Sequence, residues 1–230
     1  PIWRRITMIE IKNLNKIYLK GKKNMVHALN NINLKIDDRE TVAIIGESGA
    51  GKSTLLHIMS CIDNFDGEYY LDNIDINKLS ESKKSKLRSS KIGIVLQDFA
   101  LIDDFTVFEN VMTPLYFNKK IKDKKGSVMR ALKKTGIVSL KAKKVSQLSG
   151  GQKQRVAISR ALVTSPEYIF ADEPTGSLDS KTSEEIVKML FDLNRNGITI
   201  VIVTHNLEIA NQCHHIIEIK DGNIIKDICS

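Results

Sequence analysis

Between residues 46 and 54 the chain reads GESGAGKST, three closely spaced glycines followed by a lysine and two hydroxyls. Gly46, Gly49 and Gly51 let a backbone close around an anion with its N–H groups turned inward, because no Cβ stands in the way. Glu47, Ser48 and Ala50 complete that cradle. An apolar run, TVAIIG at 41–46, precedes the loop and a helical pattern at 52–61 follows it. The helix thus opens at the loop and adds its positive dipole end. In this context Lys52 reaches β- and γ-phosphates, the Ser53 hydroxyl holds Mg2+, and Thr54 closes the motif. The chemistry is the binding of a nucleoside triphosphate.

A second run, YIFADE at 168–173, ends a buried-strand pattern in two carboxylates. Asp172 is placed to order the Mg2+ shell, and Glu173 to polarise an attacking water as general base. Taken alone, such a pair would sooner cap the following helix; a phosphate loop in the same chain favours catalysis. A second glycine-rich mouth follows from LSGGQKQRVAISRAL at 148–162, where Ser149, Gly150 and Gly151 stand before an amphipathic helix. Bare N–H groups and a hydroxyl donor at a helix start suit another phosphate.

Elements must hold these residues in place. Apolar, β-branched runs at 8–14, 41–46, 92–97, 168–172, 199–205, 215–220 and 223–228 predict strands. Those at 41–46, 92–97, 168–172 and 199–205 are nearly all apolar, as in parallel strands covered on both faces. Helical periodicity recurs at 52–61, 151–164 and 181–194. The alternation predicts an α/β fold with a mostly parallel central sheet. The first and last portions alternate more, and DGN at 221–223 signals a hairpin, so an antiparallel part is expected there. Between about 98 and 147 the strand signal disappears, while VFENVMTPLYF and SVMRALKKTGI read as helices, predicting an inserted helical subdomain.

A chain of 230 residues with 42% hydrophobic content can build a real core. It contains no run of about eighteen apolar residues and no leading stretch like a signal peptide, which predicts a cytosolic chain. Residues 1–7 read as an upstream extension or an expression remnant. Cys61, Cys213 and Cys229 are too far apart in sequence to suggest a disulfide framework or a zinc site. The net charge of +8 comes from lysine runs at 20–23, 83–86, 119–125 and 141–144. These could face nucleic acid, an anionic membrane or only solvent; aromatics are not interleaved with them, so no nucleic-acid partner is expected.

Taken in order, these motifs resemble the ATP-binding cassette family over essentially all of residues 8–228. LSGGQ, Leu148 to Gln152, is similar to the signature motif of that family, which P-loop kinases and GTPases lack. The resemblance implies a P-loop NTPase core at 8–97 and 163–228, with the helical subdomain at about 98–162. It implies ATP and Mg2+ as ligands and a head-to-tail pair of cassettes, each signature helix closing on the γ-phosphate held by the other subunit. Further roles follow by residue. Tyr18 matches the aromatic that stacks on adenine, and Gln97 the residue that links Mg2+ and the attacking water to the helical subdomain. Ser177, Leu178 and Asp179 match the loop that crosses the dimer interface, and His205 the switch histidine at the γ-phosphate. By themselves Tyr18 and His205 would read as packing or structural residues. Asn206 stands where an Asp is usual, and the proline common before the signature is absent.

The run LRSSKIGIVLQDFALIDDFTVFENVMTPLYF, with ADEPTGSLD, is similar to the subgroup that drives lipoprotein release, macrolide and peptide efflux, and resistance to antimicrobial peptides. The resemblance implies an ATPase docked on an integral membrane permease at the inner face of the cell membrane; the stop at KDICS predicts no C-terminal regulatory domain. A non-transport switch of the same fold is the alternative.

Overall fold

The computed structural model describes residues 7–19, 21, 24–118 and 120–229. Residues 1–6 of the expected extension, and Lys20, Lys22, Lys23 and Lys119 of the lysine runs, lie outside the described residues. The elements in chain order are β1 (Thr7–Tyr18), β2 (Val26–Asp37), β3 (Thr41–Ile45), α1 (Lys52–Met59), β4 (Asp66–Leu71), β5 (Ile74–Asp75), α2 (Glu81–Lys91) and β6 (Ile92–Val95). There follow α3 (Val107–Met112), α4 (Lys124–Lys134), α5 (Gly150–Leu162), β7 (Tyr168–Asp172), α6 (Ser180–Arg195), β8 (Thr199–Val203), α7 (Leu207–Ala210), β9 (His215–Lys220) and β10 (Asn223–Cys229). The chain forms two compact units, one made of the segments up to Lys84 and from Val201 on, the other of Ser85–Ile200.

In the first unit β1 pairs antiparallel with both β2 and β4, in the order β2-β1-β4-β5. A second set of strands runs parallel from β3 to β9, and β9 turns back antiparallel into β10. The turn is the one predicted from DGN: Asp221 and Gly222 both have positive φ, 47° and 75°, as a two-residue hairpin requires. Every residue of β3 is buried, and α1 lays Leu55, Leu56, Ile58 and Met59 into the same core. Each such side chain contributes on the order of 2 kcal/mol through burial. The predicted strands omit β2, although Leu29, Ile32, Leu34 and Ile36 are buried. Its alternation is broken at Asn30–Asn31, where the register with β1 slips and Asn31 takes φ 47°. The bulge interrupts the period-2 signal, which is confined to Ile32, Leu34 and Ile36 beyond it.

In the second unit β6 and β7 pair in parallel, and β8 begins there with the Thr199 N–H donating to the Glu167 carbonyl at 3.0 Å. Helices α3, α4 and α5 pack on one another. The predicted helix over VFENVMTPLYF stops as an α-helix at Met112 and tightens into a 3-10 turn, because Pro114 has no N–H to continue it. Helix α2, which links the units, escapes sequence reading: within ESKKSKLRSSK only Leu87 is apolar, so no periodic stripe exists. Where β6 meets α5 the approach is backbone to backbone. A Cβ on Gly93 would lie 2.7 Å from the Ala161 carbonyl oxygen and 3.1 Å from the Ala161 Cβ. We expect Gly93→Ala to cost about 1–3 kcal/mol, an overpacking penalty read as a lower urea midpoint with the slope unchanged. An unchanged midpoint would mean that helix and strand are not in firm contact there.

Candidate functional site

The first glycine-rich mouth lies in the first unit, between β3 and α1. Gly46 and Gly51 take φ of 143° and 106°, and neither position has room for a Cβ: it would lie 2.1 Å from the Ile219 carbonyl oxygen at Gly46 and 2.5 Å from the Ala28 carbonyl oxygen at Gly51. The residue that caps α1 is Gly51, which offers no side-chain hydrogen bond. By contrast α3, α4, α5, α6 and α7 are capped by Thr106, Asp123, Ser149, Asp179 and Asn206. An uncapped helix start leaves its first N–H groups to a ligand. Lys52 folds over the loop, its ammonium donating to the carbonyls of Gly46 at 2.9 Å and Glu47 at 2.7 Å. Glu47, Ser48 and Gly49 form the exposed rim, Ala50 is buried, and Ser53 and Thr54 are half-buried in the first turn of α1.

Tyr18 ends β1 in the same unit. Its hydroxyl donates to Asp63 Oδ2 at 2.6 Å, and the Lys16 ammonium sits 4.7 Å from its ring centroid and donates to Asp63 Oδ1 at 3.0 Å. Partial burial, followed by the Asp63 acceptor, raises the pKa of the Tyr18 phenol. Burial would raise the Asp63 carboxyl too, yet the Tyr18 hydroxyl and Lys16 hold it below its usual range. The ring is therefore tethered at its polar tip. Nothing in the sequence near Tyr18 announces Asp63, which lies 45 positions on. His205 is exposed just after β8, and Asn206 caps α7, accepting from the N–H groups of Glu208 at 2.8 Å and Ile209 at 3.4 Å. Asn caps as well as Asp, so the departure at 206 leaves this turn intact.

The second unit carries the other residues. Asp172 is the buried last residue of β7 and is 9% exposed. Glu173 follows it in the left-handed region at φ 44°, a conformation that costs a non-glycine residue roughly 1–3 kcal/mol and is kept mainly where function needs it. Buried Gln154 of α5 donates to the Pro174 carbonyl at 2.7 Å and holds the turn after Glu173. Gln97 lies beyond β6, and a Cβ on Gly176 would touch its amide nitrogen at 3.7 Å and the Glu173 Cβ at 3.6 Å. After Gln97 the chain turns through Phe99 and Ala100 at φ of 61° and 45°. Arg160 of α5 holds both, donating to the Ala100 carbonyl and, at 2.7 Å, to the Phe99 carbonyl. Arg160 and Gln154 thus tie α5 to the loops that follow Gln97 and Glu173; sequence reading missed both.

At the second mouth the Ser149 oxygen accepts from the Gln152 N–H at 3.4 Å, and the Gln152 side chain accepts from the Ser149 N–H at 3.1 Å. As an acceptor in this capping box, Ser149 keeps its hydroxyl proton to donate. Ser149 and Gly150 are exposed, whereas Leu148 is buried. Asp179 is exposed and caps its own helix, accepting from the Thr182 N–H at 3.0 Å and hydroxyl at 2.6 Å; Ser177 is exposed and Leu178 half-buried. The glycines have a packing reason beside the one read from sequence. A Cβ on Gly151 would lie 2.4 Å from Thr182 Cγ2, and one on Gly150 3.3 Å from Leu178.

A strand, a glycine-cradled loop and an uncapped helix bearing Lys-Ser define the P-loop class of nucleoside-triphosphate-binding proteins. The ABC transporter family model matches residues 29–176. The chain is 44% identical to the uncharacterized ABC transporter ATP-binding protein MJ0796 of Methanocaldococcus jannaschii, with 96% of each chain covered. It is 44% identical to the macrolide export ATP-binding/permease protein MacB of Mannheimia succiniciproducens, but spans only 35% of that protein. A dimeric structure of MJ0796 bound to ADP and Pi superposes with a TM-score of 0.89 at 42% identity, covering 96% of this chain and 98% of that one. The chain belongs to the ABC transporter family. It is an ATP-binding cassette ATPase.

The two reasons for Gly151 can be separated. Gly151→Ala alone should lower both the melting temperature and ATPase activity. Adding Thr182→Ser, which removes Cγ2 and keeps the hydroxyl bonded to Asp179, should restore melting while ATPase stays at least about tenfold down. Activity that returned with stability would leave packing as the whole explanation.

Proposed function

We propose that this cassette powers an exporter: residues 8–228 act as one nucleotide-binding domain that drives a membrane permease, with 98–162 as its helical subdomain. The observation that carries the proposal is the pair of helix mouths, α1 uncapped at Gly51 and α5 exposed at Ser149 and Gly150. Two phosphate-facing mouths in one chain suit a head-to-tail dimer, in which α5 of one copy closes on the γ-phosphate bound at α1 of the other. The MJ0796 structure, described as dimeric, supports a second cassette as partner, and the 44% identity to a protein named for macrolide export supports the exporter reading. The cargo class is peptides, lipoproteins or drugs, and the site of action is the inner face of the cell membrane. Among the described residues no helix is long and apolar enough to cross a membrane.

The residues divide the work as follows. Gly46 to Thr54 cradle the phosphates of ATP, with Lys52 leaving the Gly46 and Glu47 carbonyls for the β- and γ-phosphates. Tyr18, steadied by Asp63, stacks on the adenine. Ser53, Gln97 and Asp172 offer hydroxyl, amide and carboxylate oxygens, a donor set suited to Mg2+. When bound, Mg2+ neutralises charge on the β- and γ-phosphates. Glu173 draws the proton from the attacking water, His205 holds that water and the γ-phosphate in register, and Gln97 reports to the helical subdomain through the loop held by Arg160. Ser149, Gly150 and Gly151 of the partner donate to the γ-phosphate, while Leu148 and Gln152 shape that mouth and Ser177, Leu178 and Asp179 cross the interface.

Removing the base without removing the site should trap the closed state. Glu173→Gln is expected to elute as a monomer without ATP and at twice that mass with it, and to hydrolyse ATP at least about 100-fold more slowly than the parent. Lys52→Ala, which loses the phosphate contact, should remain monomeric with ATP. Hydrolysis by Glu173→Gln at the parent rate would overturn the assignment of the base.

A further inference from the structure

Away from both mouths, Glu40 and residues of both strands of the β9–β10 hairpin meet at one end of that hairpin. His215 opens β9 and pairs in register with Cys229 of β10, so the two side chains stand on one face of the hairpin. Glu40 arrives from the residue before β3. One donor atom from each of Glu40, His215 and Cys229 lies within 4.8 Å of the others. The wide spacing of the cysteines in sequence conceals this cluster.

The histidine is poised as a ligand. Its side chain is 2% exposed, and Nε2 lies 2.5 Å from Asp227 Oδ1. No hydrogen bond reaches Nδ1, and Glu40 Oε2 stands 3.6 Å from it. A ring that gives one N–H to a carboxylate and turns its other nitrogen toward a carboxylate and a thiol has the order carboxylate, histidine, metal found around bound zinc. A depression of ≈ 610 Å³ reaches His215, Asp227 and Cys229 from outside. Lys12 and Lys35 also line it, but both pair with Glu10, at 3.3 and 3.0 Å, which offsets their charge toward an incoming cation.

We propose that Glu40, His215 through Nδ1, and Cys229 as thiolate bind one divalent cation of the zinc class, with Asp227 orienting the ring. One nitrogen, one sulfur and one carboxylate oxygen suit Zn2+ and poorly suit Mg2+ or Ca2+; the fourth tetrahedral position takes water. The ion replaces the thiol proton of Cys229 and any proton on Nδ1. It joins β9, β10 and the start of β3 at the end of the hairpin opposite the Gly222 turn. That turn touches the phosphate loop, since the Gly222 N–H donates to the Ala50 carbonyl at 3.0 Å. The site therefore steadies the hairpin that braces the P-loop.

The test uses the whole chain, stripped by chelator and free of nucleotide and Mg2+. Zn2+ alone is titrated by calorimetry, and Co2+ alone by absorption, where a thiolate ligand gives a charge-transfer band in the near ultraviolet. One ion per chain, a Co2+ thiolate band and a melting temperature raised by Zn2+ are expected. Cys229→Ser, at an exposed strand end, should abolish the band and the Zn2+ effect on melting, and Asp227→Asn should weaken Zn2+ binding about 10- to 100-fold. His215→Gln is expected to lose Zn2+ binding; should it not fold, Cys229→Ser decides the matter. No binding by the parent, half an ion per chain, or equal binding by Cys229→Ser would overturn the proposal.

Discussion

A phosphate loop must keep its N–H groups facing outward to a ligand while the rest of its backbone is held rigid. Here rigidity comes from main chain packed on main chain. Gly46 lies against the Ile219 carbonyl and Gly51 against that of Ala28, so closely that no side chain fits at either. The Gly222 N–H donates to the Ala50 carbonyl, and the Gly222 carbonyl accepts from the Asn30 N–H at 2.8 Å. Strand β2, the β9–β10 turn and the loop form one hydrogen-bonded joint. Because α1 has no side-chain cap, that joint, together with the Lys52 ammonium on the Gly46 and Glu47 carbonyls, sets where its first N–H groups point.

The second unit relies on the same kind of close approach and adds buried Gln154 and half-buried Arg160, which hold strained turns. Positive φ at Glu173, Phe99 and Ala100 would relax in a free loop. Gln154 and Arg160, both on α5, hold the carbonyls at Pro174, Phe99 and Ala100, so the helix behind the second mouth also positions the loops bearing Glu173 and Gln97. A change at the mouth of α5 has a direct mechanical path to both loops within this unit.

Caps distribute the helix starts between structure and ligand. Thr106, Asp123, Asp179 and Asn206 occupy the N–H groups of α3, α4, α6 and α7, which therefore serve the fold. Ser149 caps α5 through a long 3.4 Å bond and remains exposed, so its N–H groups and hydroxyl stay accessible. Helix α1 is left to its ligand.

The sequence by itself determined the α/β class, the nearly all-apolar strands β3, β7 and β8, the hairpin at Asp221–Gly222 and the residues of both mouths, because each is written in a local period or a contiguous motif. It shows β2 only in the short alternation of Ile32, Leu34 and Ile36 beyond the break at Asn31, and it could not show α2, which has a single apolar residue and no stripe to detect. Only the tertiary structure decided that Asp63 tethers Tyr18, that Thr182 fills the space a side chain at 151 would need, and that Glu40, His215, Asp227 and Cys229 meet. Those facts join residues that are far apart along the chain. Periodicity reports the neighbours a residue has along its own helix or strand, whereas contacts across elements depend on register and packing, which no short stretch of sequence contains.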